Sequence, residues 1–124
     1  MKKLAKIKSA SLSLQSAGVF TFWINVDYED GLSQNVGGYA LDTYDADKKC
    51  RVGTAYGCEM IRRLLEEFGI NDFSEMAGKY VWVIGEEGKL GFQFRPTGIK
   101  RLSCDRVDTK GVMFDEIFRD FKTD

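Results

Sequence analysis

The chain has no histidine in its 124 residues. The commonest general base, the commonest metal ligand and the usual partner of a nucleophilic serine or cysteine are therefore missing together. Cysteine is scarce too: Cys50, Cys58 and Cys104 are odd in number and spaced like neither a disulfide framework nor a zinc ligand set. They read as free, buried thiols. Cys58 lies near a predicted helix start, where a thiol pKa falls, but no residue is present to relay its proton. The chain is thus expected to be no enzyme and to carry no cofactor and no metal. Neither sign of charge dominates, since 18 Lys and Arg against 19 Asp and Glu leave a net charge of -1. That excludes the basic field which duplex DNA binding needs. The start, Met1 to Lys8, is basic, but no apolar run follows that would make a signal peptide or a membrane span. This predicts a cytoplasmic protein that does not engage a membrane.

What is present looks globular: 44% hydrophobic and 30% charged residues in a length that suits one domain, residues 1–124. Leu4 to Leu14 alternates loosely, with Ala10, Leu12 and Leu14 on one face. Phe20, Phe22, Ile24, Val26 and Tyr28 alternate cleanly with polar neighbours and Trp23, giving the clearest strand. Ser33 to Leu41 reads as a third strand, and its Gly37-Gly38 signals a bulge or a close backbone approach. Asp42 to Gly53 has no apolar period and reads as a long loop. Its acidic cluster, Asp42, Asp45 and Asp47, lacks the glycine and terminal glutamate of a calcium loop and reads as a solvated turn.

Ala55 to Phe68 is the main helix, with Tyr56, Met60, Leu64 and Phe68 on one stripe. Pairs of Glu59 with Arg63 and of Arg63 with Glu67 fall on its outer side, and Gly69 ends it. Asn71 to Met76 suits a short helical turn. Lys79 to Ile84 and Leu90 to Arg95 make a hairpin, Pro96-Thr97-Gly98 breaks the chain, and Ile99 to Cys104 is an edge strand. Met113, Phe114, Ile117, Phe118 and Phe121 recur at helical spacing and dock a short C-terminal amphipathic helix, or, left uncovered, Phe114, Phe118 and Phe121 form a partner or self-association surface. The order predicts an α+β fold: an antiparallel β-sheet with one main helix packed across a face and the short C-terminal helix beside it.

The stretch most like a site is Arg51-Val52-Gly53-Thr54-Ala55-Tyr56-Gly57. A helix start leaves backbone N–H groups unpartnered and concentrates partial positive charge, so it can hold an anion. Thr54 fits as the N-cap, and Arg51 is placed to add charge-assisted bonds to a phosphate. Gly57, inside the first turn, costs about 1 kcal/mol relative to alanine unless a ligand or a crossing strand approaches the backbone there. Gly53, Thr54, Ala55, Tyr56 and Gly57 thus form the candidate cradle with Arg51. Tyr39 and Trp23 are the candidate stacking surfaces for a base, although aromatic residues on strands are more often packing.

The blocks Gly37-Gly38-Tyr39-Ala40-Leu41-Asp42 and Arg51 to Arg63, with Gly78-Lys79 before a valine-rich strand, resemble a family of small bacteriophage proteins, over roughly Ile7 to Ile84. Members of that family tend to end in a Trp-Phe-Asp-Pro motif, where this chain has Met113-Phe114-Asp115-Glu116 and a longer tail. The resemblance implies a phage origin and, by context, a counter-defence factor acting in the host cytoplasm. Of the functions open to such a factor, a sponge for a signalling nucleotide agrees with the helix-start cradle, and such a sponge is expected to be a homo-oligomer. An anti-CRISPR-like inhibitor of a host defence protein, or a structural or regulatory phage protein, are the alternatives.

Overall fold

The computed structural model describes residues 1–88, 94–102 and 110–121; Cys104 and residues 90–93 of the expected hairpin lie outside them. β1 (Lys2–Leu14) and β2 (Phe20–Tyr28) pair antiparallel around a 3-10 turn at Ser16–Gly18. The alternation in β2 buries Phe22, Ile24 and Val26 completely. In β1 the pairing steps from Ile7↔Val26 to Ser9↔Asn25, a bulge at Lys8. One extra residue reverses the strand's parity, so that Ala5 and Ile7 before it and Ala10 and Leu12 after it share the inner face. The looseness of the period-two pattern has this cause.

β3 (Ser33–Ala40) joins β2 with its own irregularity, between Thr21 and Trp23. Gly37 and Gly38 take φ of 105° and 80°. A Cβ on Gly37 would fall 2.5 Å from the Phe22 ring and one on Gly38 2.2 Å from the Trp23 ring. Bulge and close approach therefore occur together, and rings from both faces of β2 press on this short length of backbone.

The expected loop from Asp42 to Gly53 is instead a two-stranded hairpin, β4 (Asp42–Asp45) with β5 (Cys50–Gly53). Asp45 closes its turn by accepting from the N–H groups of Asp47 and Lys48. Strands this short and this exposed bury no alternating face, so periodicity carries no trace of them. The acidic cluster is divided between an internal ion pair and this turn, and among the described residues no group of three potential ligands is placed to hold a metal.

α1 (Ala55–Phe68) has the expected bounds, with Gly69 left-handed at its end. It buries Tyr56, Met60, Leu64 and Phe68. Arg63 pairs with Glu59 at 2.7 Å. The second expected pair does not form: Glu67 is buried and accepts the Arg101 backbone N–H at 2.9 Å, while the Arg63 guanidinium lies 5.5 Å over the Phe121 ring. A 3-10 turn at Phe73–Met76, capped by Asp72, delivers Met76 to the core.

β6 (Tyr80–Glu87), β7 (Phe94–Arg101) and β8 (Val112–Met113) complete a six-stranded antiparallel sheet in the order β3-β2-β1-β6-β7-β8. The expected break at Pro96 does not occur. The pairing skips from Gly98 to Pro96, leaving Thr97 extra, and a bulge is where a strand tolerates a residue without an N–H. Ile99 consequently belongs to β7, and the edge falls to β8.

The sheet curls until β3 meets β7, where the Gln34 side chain donates to the Phe94 carbonyl at 2.9 Å. α1 lies across the inner face, and α2 (Phe114–Phe121) closes the side. Phe114 is fully buried, edge-on to Phe22, and the Phe118 ring packs at 5.2 Å from Tyr39 and 4.5 Å from Tyr56. The aromatic tail completes the core of an α+β fold.

A Cβ on Gly57 would lie 2.0 Å from the Leu41 carbonyl oxygen. Gly57→Ala is expected to destabilise the protein by about 1–3 kcal/mol, although alanine gains about 1 kcal/mol in helix propensity. Chemical denaturation measures the difference, and an unchanged or raised stability would show that the crossing strand can retreat.

Candidate functional site

The helix start is built around one carbonyl. The Thr54 hydroxyl donates to the Leu41 carbonyl at 2.7 Å and accepts from the Gly57 N–H at 3.0 Å. Gly57 is glycine because β3 runs out across the first helical turn at Leu41. Arg51 donates to Asp42 Oδ1 at 2.9 Å and to the Asp42 carbonyl at 3.3 Å, and its Nε is covered by protein without a hydrogen-bond partner among the described residues. The other Asp42 oxygen accepts the Phe20 N–H. Hydrogen bonding to Arg51 is the largest influence holding the Asp42 carboxyl below its ordinary pKa, against the opposing effect of burial. The same bond raises the Arg51 pKa.

The sequence-picked residues are only partly brought together. Arg51, Gly53, Thr54, Ala55, Tyr56 and Gly57 stay contiguous. Tyr39 reaches the group through Phe118, its hydroxyl donating to Asp115 at 3.2 Å. Burial, followed by the Asp115 charge, raises its pKa. Trp23 stands on the other face of the sheet, over Gly38. The recess that opens beside the helix start, about 480 Å³ in volume, is walled by Leu12, Phe20, Leu41, Ile61 and Leu65, and its chemistry is hydrocarbon. Cys50 and Cys58 are exposed, which corrects the reading of buried thiols. Cys50 sits on the short hairpin and Cys58 on the flank of α1, where neither is covered.

A second recess, of about 540 Å³, opens at the seam between β3 and β7, and its walls are of a different kind. Lys3 shares the inward parity of Ala5 and Ile7, so an ammonium is delivered to the inner face. Its Nζ lies 4.7 Å over the Phe94 ring and 5.4 Å over the Tyr28 ring, which meet edge to face at 6.3 Å. Arg95 lines the same cleft and, like Lys3, has no carboxylate partner among the described residues. The Tyr28 hydroxyl donates to the Gln34 side-chain oxygen, and the Gln34 amide in turn holds the Phe94 carbonyl. Lys3 thus stands over aromatic faces that a hydrogen-bonded seam keeps in place, and Arg95 adds a second cation to the wall of the cleft. Burial, with the Asp30 charge behind it, pushes the Tyr28 pKa up to about 12.

Sequence reasoning did not single out this cleft, because it registered Lys3, outside any strand, only as part of a basic start, Met1 to Lys8. The available signal was the odd-numbered spacing of Lys3, Ala5 and Ile7, which predicts one face once the strand is extended to Lys2.

No family model matches the sequence, and neither a curated protein nor a solved structure matches it. Among the described residues no helix is long and apolar enough to cross a membrane.

Two pH effects follow. Asp42, whose pKa is lowered by folding, contributes stability that is complete above its ordinary value of 3.8 and is lost as pH falls through its folded value. Melting temperatures measured down the acid limb are expected to fall more steeply for the wild type than for Asp42→Asn, and parallel curves would refute the linkage. Tyr28, whose pKa is raised, contributes stability that is present below 10.0 and disappears as pH rises toward about 12. Spectrophotometric titration is expected to lose one late-ionising tyrosine in Tyr28→Phe.

Proposed function

We propose that the protein is a non-enzymatic binder that sequesters a phosphorylated signalling nucleotide, and that the ligand enters the cleft between β3 and β7. The observation that carries the proposal is Lys3, an inward-facing ammonium framed by Tyr28 and Phe94 and joined by Arg95, with no carboxylate of its own among the described residues. A nucleotide supplies the two complements: phosphate oxygens for the cations and a planar base for the aromatic faces. Arg51 supports the helix start less well as the phosphate site, because its guanidinium is already bonded to Asp42. The resemblance to small phage proteins supplies the context, counter-defence in the host cytoplasm, in which sequestration without turnover is useful.

The alternative, a protein-binding inhibitor, needs an exposed apolar or acidic patch, and α2 is not that patch, since its Phe114 and Ile117 are buried.

The test is a thermal-shift and calorimetric screen against cyclic nucleotides, linear nucleotides and inorganic phosphate. Lys3→Met and Arg95→Gln are each expected to weaken nucleotide binding about ten-fold or more, the scale of one charge-assisted hydrogen bond. Arg51→Gln is expected to leave affinity unchanged. Binding by no nucleotide overturns the proposal, and loss in Arg51→Gln with retention in Lys3→Met moves the site to the helix start.

A further inference from the structure

β1 is flanked on both sides only along its first half. β6 pairs with Lys2 to Lys6, and Ile7 is held by the backbone of Gly78 and Lys79, whereas Ser9 to Leu14 pair with β2 alone among the described residues. The 3-10 turn at Phe73–Met76 packs against β1 next to Ile7, and beyond it no backbone group among the described residues bonds to the free side of the strand. Natural edge strands are usually blunted by lysine, proline or an inward charge. This one carries none of these: the chain has no charged residue and no proline from Ser9 through Val26. Leu12 is 39% and Leu14 72% exposed, and Leu12 already forms one wall of the hydrocarbon recess under Ile61 and Leu65.

The geometry points to a second copy of this chain as the occupant of that edge, with the two β1 strands pairing antiparallel about a two-fold axis at Leu12. The segment is complementary to itself. In antiparallel pairing, directly opposed residues share a face. Centring on Leu12 sets Leu12 against its own copy, Ala10 against Leu14, and Ser11 against Ser13. All the apolar side chains of the two segments then fall on the α1 side and all the serines on the other. Lys8 is carried past the end of the hydrophobic register, opposite Ser16. The pair closes by symmetry, uses up the free side of β1 in both copies, and joins two sheets into one. A foreign strand would find hydrogen bonds here, whereas a second copy brings this matched alternation, with no charge to repel it, in every molecule of the protein. The β3–β7 cleft lies elsewhere on the sheet, so the dimer does not depend on the ligand.

Sedimentation of the full chain over a range of concentrations is expected to show a monomer–dimer equilibrium. Leu12→Lys places two ammonium groups across the axis and is expected to weaken the dimer at least about ten-fold. Leu12→Glu does the same with carboxylates. Mixing the two variants is expected to restore a dimer that neither forms alone, a recovery that general misfolding does not produce. Leu14→Lys, at the most exposed of these positions, serves as the second disrupting variant where Leu12→Lys fails to fold. A wild type that stays monomeric throughout overturns the inference. So does a dimer that survives both lysine variants, or a mixture of folded Leu12→Lys and Leu12→Glu proteins that does not associate.

Discussion

The Leu41 carbonyl is the point on which the architecture turns. It lies where the main sheet hands the chain to the β4–β5 hairpin, and the first turn of α1 is seated directly upon it. A hydroxyl relay holds the seat: Leu41 accepts from Thr54, and Thr54 accepts from the Gly57 N–H. One side chain thereby satisfies an otherwise orphaned helix donor and a strand carbonyl together. The approach is possible only with no side chain at position 57. Asp42, next in the chain, extends the junction by binding the Phe20 N–H and Arg51. Through these few bonds the helix axis is fixed relative to β2, and with it the lay of Met60 and Leu64 on the sheet.

At its other end α1 is fixed by Glu67, a buried carboxylate that accepts the backbone N–H of Arg101 at the close of β7. A charge placed so deeply is costly unless its lone pairs are used. Helix and curled sheet are thus joined by hydrogen bonds at both ends and by hydrocarbon between them. The curl brings β3 to β7, and the meeting of those strands creates the cleft around Lys3.

The parts of this arrangement that bury a periodic face were legible in the sequence. α1 shows its stripe, its threonine cap and its terminating glycine, and β2 shows its alternation. The short hairpin at Asp42 to Gly53 was not legible, because its strands are too exposed to alternate. Pro96 was misleading for a related reason: a bulge hides the missing N–H, and the sequence does not announce bulges. At the helix start the Thr54 cap and a close approach to Gly57 were legible, but residue types there do not distinguish a strand crossing from a phosphate, since both suit a small residue at position 57 and a hydroxyl at position 54. Lys3 escaped notice because an inward lysine at a strand's beginning looks like any basic terminus until the curl of the sheet encloses it.

The bulge at Lys8 has a reach beyond its own neighbourhood. It acts as a phase shifter, so that a single strand speaks in two registers: odd positions face inward before it and even positions after it. Lys3 is thereby committed to the cationic cleft and Leu12 to the hydrocarbon recess, recesses of opposite chemistry hung on one continuous backbone. Removing that one residue would put them out of step, turning one set outward whichever set kept its place. The length of this segment, more than the identity of any side chain in it, keeps both recesses in the same molecule.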